Sequence, residues 1–117
     1  MDMPPPPIDI VIIVEGKNDR SRLARMTKPC VRILTTMGTP GTERLHRLRM
    51  EAGDLPVYLF TDNDASGKKI RALLREAFPD AEQIYTRRGY AGVEGTPEEY
   101  LYQQLDKAGL GDYLLDP

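Results

Sequence analysis

The run Ile8-Asp9-Ile10-Val11-Ile12-Ile13-Val14 leaves this chain few folds to choose from. Apart from Asp9, every residue in it is a β-branched aliphatic, which stiffens the side chain and favours extended backbone. The run offers no polar face to water, so it reads as a strand buried on both sides of a parallel sheet. Glu15-Gly16 ends it. A short helix is expected over about 18–26, halted before Pro29, and Val31 to Leu34 reads as a second strand. The stretch 35–42 is a loop punctuated by Gly and Pro. A helix follows over 43–51, apolar at Leu45, Leu48 and Ala52, with Arg44 and Arg47 on its other face. Val57 to Phe60 is a third strand. Ile70, Leu73, Leu74 and Ala77 then recur at helical spacing up to Pro79, and Gln83 to Thr86 is a fourth, weak strand. Beyond the loop 87–95, Thr96-Pro97-Glu98-Glu99 has the form of a capping box opening a last helix to about Lys107. Strands and helices alternate with short connections. That order predicts an α/β fold with a four-stranded, mainly parallel sheet flanked by helices on both faces.

With 117 residues there is room for one domain, expected over 8–117, preceded by a Pro-rich tail over 1–7. No basic stretch leads into an apolar one at the start, so no signal peptide is expected. No apolar run is long enough to cross a bilayer, so no membrane role is expected either. Cys30 is the single cysteine, which excludes an internal disulfide or a Cys-based zinc site and suits a reducing cytoplasm. The formal net charge is −2, yet the charge is unevenly spread. Residues 15–49 hold nine basic side chains against three acidic ones, whereas residues 90–117 hold six acidic against one basic. Such a basic half fits a polyanionic partner, and it fits two solvated helix faces as well.

In open α/β sheets, ligands bind beyond the carboxyl ends of the strands. Two of those ends carry acids here: Glu15 after the first strand, and Asp62 and Asp64 after the third. Carboxylates gathered from separate strand ends call for a hard cation. Mg²⁺ or Mn²⁺ suits oxygen ligands and leaves room for phosphate oxygens and water. One His and one Cys supply no set for a softer metal. The competing reading is structural, with Asp62 or Asp64 making an Asx turn or capping the helix that begins near Ala65.

Ile12-Ile13-Val14-Glu15-Gly16-Lys17-Asn18-Asp19, followed by Leu59-Phe60-Thr61-Asp62-Asn63-Asp64-Ala65-Ser66-Gly67-Lys68-Lys69-Ile70, resembles a toprim domain. Toprim domains occur in topoisomerases, bacterial primases, recombination-associated nucleases and small ribonucleases. The nearest resemblance is to the toprim half of the ribonucleases that mature 5S ribosomal RNA. Gly92-Val93-Glu94 and the Gly38 loop (Thr36-Met37-Gly38) match further parts of that pattern, and the resemblance covers about 8–105. It implies a Rossmann-like three-layer fold and divalent-metal-dependent phosphodiester chemistry of nuclease type on DNA or RNA. By the same resemblance Glu15 is the general acid or base, and Asp62 and Asp64 hold the ion. Glu94 is either an outer acid of the site or a charge at a helix N-terminus. A tyrosine-bearing topoisomerase domain, a primase zinc module and a second RNA-binding domain have no counterpart in the sequence, so a free-standing toprim protein is expected.

Lys17, Lys68 and Lys69 fall near helix N-termini and could steer a backbone phosphate, as could Arg87 and Arg88 in the 87–95 loop. Gly16 would allow close approach of backbone and substrate. Tyr85 and Tyr90 could stack on a base or pack at an edge. His46 reads as a surface or substrate-facing residue and Cys30 as a small apolar one. Two other functions stay open. One is a non-catalytic accessory that lends its metal and nucleic-acid site to a larger replication, repair or RNA-processing protein. The other is a phospho-receiver domain, which would need a fifth strand followed by lysine.

Overall fold

The computed structural model describes Pro4 and residues 7–116; most of the Pro-rich stretch over 1–7 lies outside those residues. Strands and helices alternate as β1 (Ile10–Val14), α1 (Lys17–Ala24), β2 (Val31–Thr35), α2 (Thr42–Ala52), β3 (Val57–Phe60), α3 (Ala65–Ala77), β4 (Glu82–Ile84) and α4 (Glu98–Lys107), with a 3₁₀ turn at Gly111–Tyr113. The four strands pair in the order β2-β1-β3-β4, and every pair is parallel.

β1 is central, and all five of its residues are buried. Alternation along the strand sends Ile10, Ile12 and Val14 into one core with Leu23 of α1 and Leu101 and Leu105 of α4. Val11 and Ile13 enter a second core with Leu48 and Ala52 of α2 and Ile70 and Leu74 of α3. The result is the expected three-layer arrangement. Burial of each such aliphatic side chain contributes roughly 1.5–3 kcal/mol, so a single short strand supports both layers. Because α1 leaves β1 toward one face and α3 leaves β3 toward the other, the chain parts at the carboxyl ends of these neighbouring strands. That divergence is the crevice in which α/β sheets bind ligands.

Several local expectations need correcting. The Thr96 capping box does not form: the Thr96 hydroxyl donates to the Gly92 carbonyl, is buried, and leaves Pro97 to precede α4 without a side-chain cap. Arg44 does not stay on the solvent face of α2; its guanidinium donates to the Thr35 carbonyl at 2.7 Å. β4 stops at Ile84 instead of Thr86, since the Thr86 carbonyl and hydroxyl both accept from Asn63 at 3.3 Å. The segment after α4, for which the sequence offers no element, closes on the α1–β2 connection. There Leu115 N–H donates to the Met26 carbonyl at 2.8 Å, and Thr27 bridges to Leu114. Among the described residues no helix is long and apolar enough to cross a membrane.

Candidate functional site

The strand ends meet through Glu15. Its Oε2 accepts the Asp62 backbone N–H at 2.6 Å, joining the residue that follows β1 to the turn that follows β3. Asp62 Oδ1 in turn accepts the Val93 N–H at 3.3 Å, which draws the β4–α4 loop over the same point. Two glycines make room for Asp62. A Cβ on Gly92 would lie 2.1 Å from Asp62 Oδ1, and one on Gly67 would lie 2.1 Å from the Asp62 carbonyl oxygen. Gly92 also has φ +66°, a conformation that side chains rarely tolerate. Glu15 is fixed from its other side by the loop after β2, where the Thr36 hydroxyl and the Gly38 N–H both donate to the Glu15 carbonyl.

Asp64 behaves differently. It is exposed, and its Oδ1 accepts the Gly67 N–H at 2.6 Å as the N-cap of α3. Asp19, which the sequence reading left out of the site, is buried and closes the turn after β1 by accepting the Gly16 N–H at 3.2 Å. Burial pushes the Glu15 carboxyl above its ordinary value, and the charges of Asp62, Asp64 and Asp19 push it further, against the lowering effect of the Asp62 N–H. Asp62 is likewise raised, mainly by burial and then by Asp64 and Glu94, while the Val93 N–H and a hydrogen bond with the Glu15 carboxyl lower it. Asp19 is raised by burial and by Asp62. Each carboxyl therefore keeps its proton longer than an isolated one. A cation at this point would remove much of the repulsion.

Glu15 and Asp62 offer hard oxygen donors, and Asp64 acts on both through its charge. Among the described residues, no three His, Cys, Asp or Glu side chains are gathered into a closed metal-binding group. Mg²⁺ fits such a site, since it keeps several waters and uses only one or two carboxylates.

The sequence profile of the toprim domain matches residues 10–91. The chain belongs to the toprim family. Its fold superposes on the structure of a small toprim domain protein from Bacillus stearothermophilus with a TM-score of 0.80 at 38% identity, covering 89% of this chain and 88% of that one. YusF, an uncharacterised protein of Bacillus subtilis, is 34% identical over 108 residues, which are 92% of this chain and 74% of YusF. Ribonuclease M5 of Lactococcus lactis is 32% identical over an alignment that covers 93% of this chain and 56% of that enzyme. The toprim chain thus spans about half the length of that ribonuclease.

The toprim fold brings Glu15, Gly16, Asp62 and Gly38 to one crevice edge, with Glu94 beside them: its carboxylate accepts from Asn18 at 3.5 Å and its charge acts on Asp62 and Asp19. Lys17 lies exposed at the first position of α1, and Lys68 and Lys69 at the fourth and fifth positions of α3, the two helices that start from this edge. Arg87 and Arg88 are both exposed, and Arg87 lies over the Tyr100 ring. Other residues escaped the sequence reading. Arg22 ties α1 to the Val93 and Glu94 carbonyls. Arg71, buried in α3, donates to the carbonyls of Leu59, Thr61 and Ile84 and to Gln83. That guanidinium sutures the ends of β3 and β4, reaching the carbonyl of Thr61, the residue before Asp62. An arginine within a helix carries no local sign that it will turn inward, so only its spacing from Ile70 and Leu74 hinted at burial.

Proposed function

We propose that this chain cleaves nucleic-acid phosphodiesters with a divalent cation, Mg²⁺ or Mn²⁺, at the carboxyl ends of β1 and β3. The observation that carries this reading is the contact of Glu15 with Asp62 across two adjacent strand ends, in a crevice where burial and then further acids raise both carboxyls. The kinship with ribonuclease M5 supports a nuclease and favours RNA as substrate. Asp62, with Glu15 and Asp64, would hold the cation, which supplies a Lewis acid for the phosphoryl oxygen. Glu15, held against the Asp62 backbone at the end of β1, then serves as the proton-transfer group. Lys17, Lys68 and Lys69 bind the phosphate backbone from two helix N-termini, with Arg87 and Arg88 extending the track and Glu94 as an outer acid. The reducing cytoplasm is the expected compartment.

The span of this chain, about half the length of ribonuclease M5, favours one alternative. In it the domain binds metal and nucleic acid but cuts only as part of a larger replication, repair or RNA-processing assembly.

The test incubates the purified protein with structured RNA, single-stranded DNA and supercoiled plasmid, with Mg²⁺, with Mn²⁺ and with a chelator. Cleavage is expected with metal only, and Glu15→Gln or Asp62→Asn is expected to lower it by about 100-fold or more. Metal-dependent binding without cutting supports the accessory role, and indifference of all three substrates to the protein overturns both.

A further inference from the structure

The β4–α4 loop carries two exposed tyrosines that no apolar core requires. Arg87-Arg88-Gly89-Tyr90 is a reverse turn in which the Tyr90 N–H donates to the Arg87 carbonyl at 3.3 Å and Gly89 takes φ +97° at the third position. The turn leaves Tyr90 37% exposed. The Tyr90 ring rests on Tyr100 of α4, with centroids 5.3 Å apart and planes tilted by 41°. The Arg87 guanidinium covers Tyr100 at 4.0 Å from its ring centroid. Tyr85, at the start of the loop, is 47% exposed and has the Arg71 guanidinium 4.2 Å from its own ring centroid. Arginine and aromatic rings layered in this way are the means by which proteins hold bases that are not paired.

The same loop reaches the carboxylates. Gly92, two residues beyond Tyr90, packs against the Asp62 carboxylate, and the Val93 N–H donates to it. Two residues span at most ~7 Å, so the backbone that carries Tyr90 is tethered within that distance of the glycine packed on Asp62.

We propose that Tyr90, backed by Tyr100 and Arg87, stacks on an unpaired nucleobase next to the phosphate at the Glu15–Asp62 crevice. This rests on the nucleic-acid reading above and adds the strand state of the ligand: single-stranded RNA or DNA, or an unpaired loop, ahead of a continuous duplex. Arg88, exposed at the tip of the turn, meets the backbone phosphate and does not discriminate between them.

Binding is measured in chelator, so that it does not depend on cleavage, using fluorescein-labelled 12-nucleotide single-stranded RNA, single-stranded DNA, the matching duplexes and an abasic strand. Tyr90→Ala is expected to weaken binding of both single strands by about 10- to 100-fold. It should leave duplex and abasic affinities within about twofold, and Tyr90→Phe should retain single-strand binding. Arg88→Ala should weaken all the ligands alike. The RNA and DNA arms reveal which single strand is preferred. Equal loss on every ligand in Tyr90→Ala, or no loss on any, overturns the stacking role. Single-strand selectivity that depends on Tyr90 in a protein that cuts nothing leaves the platform standing and removes the nuclease. Metal-dependent cutting with single-strand binding indifferent to Tyr90→Ala does the reverse.

Discussion

The two ends of this sheet differ in what they leave uncompensated. At the carboxyl end, Glu15, Asp19 and Asp62 are drawn out of water and held by backbone N–H groups, with Asp64 capping α3 beside them. At the amino end lies a groove of about 740 Å³ lined by His46, Arg49, Met50, Leu55 and Phe78 among others. Helix α3 begins five residues after β3 and α1 three residues after β1, so the carboxyl end receives helix N-termini, whose partial positive charge offsets acids and attracts phosphate. The amino end receives the C-termini of α2 and α3, which carry Arg49 and Arg75 in their last turns. Chain direction decides which end can concentrate buried acids, and a parallel sheet decides it for all four strands at once.

A paired substitution puts the strongest strain on this contrast. Gly92 and Gly53 both have positive φ, at opposite ends of the sheet, but a Cβ on Gly53 would meet nothing within 4 Å while one on Gly92 would enter the Asp62 carboxylate. Gly53→Ala should cost backbone strain alone. Gly92→Ala should cost about 1–3 kcal/mol more and abolish Mn²⁺ binding, as read by chemical denaturation and by titration calorimetry. Equal costs, with Mn²⁺ binding intact, would remove the distinction.

A smaller effect concerns pH. The folded-state carboxyls of Glu15, Asp19 and Asp62 are raised above their unfolded values, so the folded protein binds more protons in the interval just above the ordinary carboxylate range of about 4. Their contribution to stability is complete below that range and is lost as pH rises through the raised folded values. In chelator at constant ionic strength, thermal stability should decline as pH rises above the ordinary carboxylate range. Mg²⁺ or Glu15→Gln should flatten the decline. A melting temperature that climbs with pH in chelator contradicts a strained acidic crevice.

The smallest effect belongs to the amino end. Met50 is 71% exposed on the rim of the groove, and Met50→Ser should change stability by no more than about 0.5 kcal/mol. A larger loss would mean that this groove is covered in solution.

The fold was legible because its signals are local and periodic. The β-branched run of β1, the 3.6-residue spacing in α3 and the punctuation by Gly and Pro act over a few residues and survive in any context. The acids at the ends of β1 and β3 were legible for the same reason, since a charge straight after a buried strand is conspicuous. The roles of Asp62 and Asp64 were not: two residues apart in one turn, they read alike, yet one is clamped between Gly67 and Gly92 while the other caps a helix. Thr96 shows the converse, a local capping signal overridden by a buried carbonyl four residues earlier.

Sequence alone thus determined the alternating layers and which strand ends carry charge, because hydrophobic period and residue type belong to each segment by itself. Tertiary structure decided which carboxylate is desolvated, that Asp19 joins Glu15 and Asp62, and that Arg71 turns inward to bind the ends of β3 and β4. Those outcomes depend on the distance between groups far apart along the chain, and burial and Coulomb repulsion act through that distance alone.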